Sequence, residues 1–112
     1  MDERTRRVGE NEALFRSVND EVRSLDERFG ARPHTNVMTI ICECGQTECM
    51  EHLELRPDAY EAVRSDGARF AIKPGHEIPE AEDVVERHDR YWVVKKHEGG
   101  PAKLARETDP RR

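Results

Sequence analysis

Cys42-Glu43-Cys44-Gly45-Gln46-Thr47-Glu48-Cys49-Met50-Glu51-His52 holds all three cysteines of a 112-residue chain within eight positions, and a histidine follows three residues later. A Cys-x-Cys pair ahead of glycine sets two sulfurs on one side of a tight turn at the end of a strand. Four intervening residues then return a third sulfur to the same point. Zinc suits such a cluster, because thiolates at about 2.3 Å and an imidazole nitrogen at about 2.0 Å complete its tetrahedral shell.

Two histidines compete for the fourth place. His52 is nearest in sequence, whereas His76 follows a Pro74-Gly75 corner in which proline fixes one dihedral and glycine frees the next. His76 is the preferred ligand and His52 the alternative. Closing the long loop to His76 ties the first half of the domain to the segment ahead of the last hairpin, a restraint that local coordination by His52 does not supply. The unused ring nitrogen of His76 is then expected to donate to a carboxylate, with Glu77 and Glu80 the nearest in sequence.

Two readings without metal stand beside this one. The cysteines are ordinary core residues that happen to lie close together, or they belong to an extracellular disulfide fold, in which an odd count leaves one thiol unpaired. No signal peptide is recognisable, so a reducing cytoplasm is the expected compartment, and there clustered cysteines read as ligands. A metal would also help the chain fold. Leu, Ile, Val and Phe make up only 21 of the 112 residues in an acidic sequence of net charge −5, close to the composition at which a chain fails to fold unaided.

The length allows one domain, expected over residues 8–97, with residues 1–7 and 98–112 as flexible termini. Residues 8–94 carry 19 acidic against 10 basic side chains, which disfavours a phosphate backbone as partner. Arg4, Arg6 and Arg7 at one end, and Lys103, Arg106, Arg111 and Arg112 at the other, read as solvated ends. No apolar run approaches the ~18 residues that cross a membrane.

Upstream of the cysteines, Leu14, Val18, Val22, Leu25 and Phe29 recur in steps of three and four, which predicts an amphipathic helix from Gly9 to Gly30 with Asn11 as its N-cap. Its stripe is expected to lie on the sheet. The competing reading makes it a dimerising or partner-binding surface. Asn36 to Cys42, rich in β-branched residues, reads as a central strand that delivers Cys42 to the turn. His52 to Leu55 alternates, which sends Leu53 and Leu55 inward.

Downstream, Arg56 to Gly67 has proline at its first helical position and glycine beyond its end, so it reads as a short helix that buries Tyr60, Val63 and Ala59. Arg69 to Ile72 is a strand. Glu82 to Glu86 and Tyr91 to Lys95 form a hairpin, with Trp92 in the core, and Gly99-Gly100-Pro101 ends the domain. The fold class is α+β: a small, mostly antiparallel sheet with an N-terminal amphipathic helix and a metal-binding turn.

The sequence holds no phosphate loop, no Gly-x-Ser-x-Gly and no His-Glu-x-x-His. Catalytic residues are therefore not assigned, and the charged cluster around Gly75-His76-Glu77 with Glu80, Glu82 and Asp83 reads as a solvated face. Cys42, Cys44, Cys49 and His52 together resemble the ligand set of CDGSH-type iron-sulfur proteins. The third cysteine comes much sooner here, and Met50-Glu51 replaces that family's Asp-Gly. The stretch Asn11-Glu12 to Val18-Asn19, the Cys42-Glu43-Cys44-Gly45 turn with Cys49, Tyr60, Val63-Arg64, Phe70 and Pro74-Gly75-His76-Glu77 also resemble a group of small actinobacterial proteins over residues 7–96. That resemblance implies a bacterial cytoplasmic domain and no activity.

The function these readings favour is a non-enzymatic, zinc-stabilised module that binds another protein. Its rivals are a small metal-dependent hydrolase or iron-sulfur redox protein, which keeps a ligand position for water near Glu51 or Glu77, and a zinc-containing nucleic-acid module, which shows a basic face with exposed Tyr91 or Trp92.

Overall fold

The computed structural model describes residues 1–30 and 32–111; Arg112, assigned above to a solvated end, lies outside them. The elements are α1 (Glu3–Arg28), β1 (Met38–Ile41), β2 (His52–Leu55), α2 (Pro57–Arg64), β3 (Arg69–Ile72), β4 (Glu82–Arg87), β5 (Trp92–Lys96) and α3 (Gly100–Glu107). Every strand pairing is antiparallel, as an α+β domain of short connections requires. The strands divide into a β1-β2 ribbon and a β3-β5-β4 sheet. Cys42 and Glu43 leave β1 and run beside β3, where the Glu43 N–H donates to the Ala71 carbonyl at 2.9 Å. The cysteine turn thus couples the two sheets.

Alternation along β2 places Leu53 and Leu55 inside and His52 and Glu54 outside. The two leucines join Met38 and Ile40 of β1, Tyr60 and Val63 of α2, and Ala71 and Val93 in one apolar cluster. Cys42, Cys44, Phe70, Ile72, Val94 and Ala105 form a second. Trp92, the first residue of β5, is half-buried rather than central, with the Arg87 guanidinium 4.9 Å above its ring.

Helix α1 departs from the expectation in two respects. It begins at Glu3, with the Asp2 carboxylate accepting from the Thr5 N–H at 2.7 Å, so Asp2 is the N-cap and not Asn11. Its apolar stripe also points away from the sheets: Leu14, Val18, Leu25 and Phe29 are 60, 43, 45 and 87 % exposed, and only Val22 packs partly against the core. The buried face is Glu12, Arg16 and Asn19. What this face meets is polar, which is the physical reason. Arg16 donates to the carbonyls of Gly67 (2.7 Å) and Ala105 (2.8 Å) and lies over the Phe70 ring at 4.6 Å, while Glu12 and Glu82 share the Lys96 ammonium at 2.9 Å each. Asn19 accepts from the Ile41 N–H at 2.9 Å and donates to its carbonyl at 2.8 Å, standing in for a neighbouring strand along the edge of β1. Buried polar groups persist only with such partners.

The segment read as a tail is also structured. Gly99-Gly100-Pro101 opens α3 instead of ending the domain, with proline in the first turn and Ala102 and Ala105 buried. Helix α3 crosses α1 so closely that a Cβ on Gly9 would lie 2.6 Å from Leu104. Beyond it, Asp109 reaches the fully buried Arg64, which also holds Asp20 at 2.9 Å, and Arg111 pairs with Asp20 at 3.1 Å and Glu61 at 2.9 Å. The sequence reading missed this because the tethers are long-range ion pairs, which leave no local periodicity.

Candidate metal centre

Three backbone devices build the site. First, Cys42 leaves β1 with its N–H donated to the Glu51 carbonyl at 3.0 Å, which closes the loop that carries the other two cysteines. Second, Gly45 adopts φ +79°, and a side chain there would sit 2.7 Å from both the Val8 carbonyl oxygen and the Glu12 side chain. Only glycine fits where α1 presses on the turn. Asn11, freed from the capping role, donates to the Gly45 carbonyl at 3.0 Å and pins that contact. Third, Lys73-Pro74-Gly75-His76 forms a turn closed by His76 N–H to the Lys73 carbonyl at 3.0 Å, with Gly75 at φ +89°. Proline at its second position and a positive-φ glycine at its third mark it as type II.

The two turns bring Cys42, Cys44, Cys49 and His76 together, with one potential ligand atom from each lying within 4.8 Å of all the others. His76 Nδ1 is 3.6 Å from the Cys49 sulfur and 3.8 Å from the Cys42 sulfur. Cys42 and Cys44 are buried, Cys49 and His76 half-buried. This is a Cys3His cluster able to hold a metal ion. His52 takes no part: it is exposed on β2, paired across the ribbon with Ile41. His34, His88 and His97 sit at the surface against Asp58, Glu86 and Asp83.

The Lys73 N–H donates to the Cys42 sulfur at 3.1 Å. Without a cation, crowding lets one sulfur carry charge at the expense of the others. A hydrogen bond from the Cys42 thiol draws Cys44 down to about 5, and giving that bond pushes Cys42 up, burial adding to the rise; burial chiefly raises Cys49. A divalent cation would remove this competition by stabilising all three thiolates together.

Glu43, between the first two ligands, escaped the sequence reading. Its fully buried carboxylate accepts from Asn19 Nδ2 (2.8 Å), the Tyr60 hydroxyl (2.8 Å) and the Ala71 N–H (2.9 Å), and burial pushes its pKa up. One side chain thus joins α1, α2 and β3 behind the cysteines. A hint lay in the sequence: Asn19 falls in the interior of the predicted helix, where asparagine is a poor former and needs an outside partner. The expected contact from Glu77 or Glu80 to the other His76 nitrogen is not made among the described residues. Glu82 of the same acidic segment is drawn inward instead, to Lys96 and the Ile78 N–H.

The chain matches no protein-family model, no curated protein and no solved structure. Fold and site therefore define a class and no more: a small α+β domain whose two sheets meet at a Cys3His centre. No helix among the described residues is long and apolar enough to cross a membrane.

Proposed function

We propose that the protein is a zinc-stabilised, non-enzymatic module of a bacterial cytoplasm that acts by binding protein. The spacing of the donor atoms carries the metal assignment. Ligand distances of about 2.3 Å for sulfur and about 2.0 Å for nitrogen imply tetrahedral edges of about 3.8 Å between sulfurs and about 3.5 Å from sulfur to nitrogen. The two sulfur to nitrogen separations given above, 3.6 and 3.8 Å, and a cluster nowhere wider than 4.8 Å, fit a single ion in that frame. A two-iron cluster spreads its four ligands over two metal atoms and needs a wider one. Three thiolates and an imidazole are also donors that zinc accepts readily.

The non-enzymatic part rests on closure. Four protein side chains fill the tetrahedron, whereas a catalytic zinc keeps a position for water. Glu51, one of the two carboxylates considered for a general base, is drawn towards Lys73 at 3.7 Å. The protein-binding part rests on the large apolar side chains that α1 holds in solvent. Elemental analysis of protein purified under reducing conditions without chelator tests the metal: one zinc per chain and no visible absorption are expected. Folded, reduced protein without metal refutes the reading, and a coloured, iron-containing preparation transfers the site to redox chemistry.

A further inference from the structure

We infer that the outward stripe of α1 is an antiparallel, two-fold interface with a second copy of this chain; this rests on the protein-binding half of the reading above and is independent of the metal. Leu14, Val18, Leu25 and Phe29 are all more than two-fifths exposed, while β1 and α3 pack on other sides of the helix. Their spacing is four, seven and four residues, the same from either end. That symmetry bears on the occupant. In a two-fold contact each residue meets one whose partner it also is, and pairing about the point between Glu21 and Val22 sets Leu14 against Phe29 and Val18 against Leu25, twice each. An unrelated partner places no such demand on the spacing. At 3.6 residues per turn the four side chains fall within about 60° of one another around the helix, over about 22 Å at 1.5 Å per residue.

Charge chooses the direction. Glu10 and Arg28 are 18 residues apart, five whole turns at 3.6 residues per turn, and so lie on one flank of the stripe. Both are exposed, and neither has an ion-pair partner within the chain among the described residues. Antiparallel pairing brings Arg28 towards Glu10 of the second copy, offset by about 7.5 Å along the axis, which two long side chains can span. In a parallel pair the two-fold axis runs along the helices and carries this flank to the opposite side of the contact in the second copy, so Glu10 and Arg28 would gain no partner from it. The antiparallel arrangement has one cost: the two Glu21 carboxylates flank the two-fold axis, where like charges repel.

Sedimentation velocity of the full zinc-loaded chain, from about 1 to 300 µM, tests the inference. A concentration-dependent dimer is expected, tightened by salt because each copy carries −5, and tightened again by Glu21→Gln. Leu25→Glu should weaken it by about 30-fold or more, with zinc content unchanged and the melting curve unchanged at concentrations where the wild type is monomeric. Val18→Lys is a second variant on the same seam should Leu25→Glu fold poorly. Photoreactive p-benzoylphenylalanine in place of Leu14 should crosslink to the peptide that contains Phe29 of the other copy. Crosslinking to the region of residue 14 instead overturns the antiparallel arrangement. A monomer throughout the range overturns the inference; if such a monomer still binds a different protein through the stripe, the protein-binding reading survives without a second copy, and if it binds nothing, both fall.

Discussion

Replacing Glu43 by alanine probes the centre without touching a ligand. The carboxylate accepts three hydrogen bonds from three elements. Asn19 Nδ2 keeps the Ile41 carbonyl in the variant, so two donors are orphaned inside the protein, the Tyr60 hydroxyl and the Ala71 N–H. At about 1–3 kcal/mol for each buried unsatisfied group, the loss is about 2–6 kcal/mol, offset in part because a desolvated carboxylate disappears. That is a large share of the roughly 6–17 kcal/mol expected for a domain of this size. Glu43→Gln is the control. Its carbonyl can still accept from Ala71 and its amide can donate to the Tyr60 oxygen once that hydroxyl turns, but the amide then faces Asn19 Nδ2 donor to donor, so about 1–2 kcal/mol is expected. Urea melts of zinc-loaded protein read the stability, and competition with a chromogenic chelator reads zinc affinity. Alanine should impair both and glutamine much less, because Glu43 sets the backbone on which Cys42 and Cys44 stand. An alanine variant within about 1 kcal/mol of wild type would show that the network merely fills space and refute the reasoning.

His76→Ala should weaken zinc binding and folding together while His52→Ala leaves both unchanged, since only His76 reaches the sulfurs; the reverse order in zinc competition would reassign the ligand. Chelation at neutral pH should unfold or loosen the domain, read by circular dichroism, because the turn that joins the sheets would then hold competing thiolates; an unchanged melt makes the centre peripheral. Stopping the chain after Glu98 removes the Ala105 carbonyl from Arg16 and Asp109 from Arg64, and about 3 kcal/mol or more should be lost in a urea melt, against almost nothing for a true tail. Glu12 is lifted from 4.5 to about 8, chiefly by burial, with Lys96 opposing and Glu82 adding to the rise. Its folded form therefore keeps a proton that the unfolded chain gives up. The stabilisation is complete below about 4.5 and lost as pH rises through about 8, so at saturating zinc the wild-type melting temperature should fall between pH 6 and 9 more steeply than that of Glu12→Gln.

The sequence by itself determined what local chemistry dictates. Three cysteines in eight positions, the glycine between them and the Pro74-Gly75 corner specify turns through their own dihedral restrictions, so the cysteines and the preferred histidine were legible without coordinates. Alternation did the same for Leu53 and Leu55, and the proline and glycine borders did so for α2. Tertiary structure alone decided which face of α1 turns inward. Periodicity shows that Leu14, Val18, Leu25 and Phe29 share a side, and it equally shows that Glu12, Arg16 and Asn19 share another. The choice between them depends on what the rest of the chain presents, which here is carbonyls, a lysine and the Glu43 carboxylate. Helix α3 was hidden for the same reason. A hydrophobic stripe records a capacity to be buried, whereas ion pairs such as Arg64 with Asp109, 45 residues apart, exist only once the chain has closed and brought opposite charges into a place that water has left.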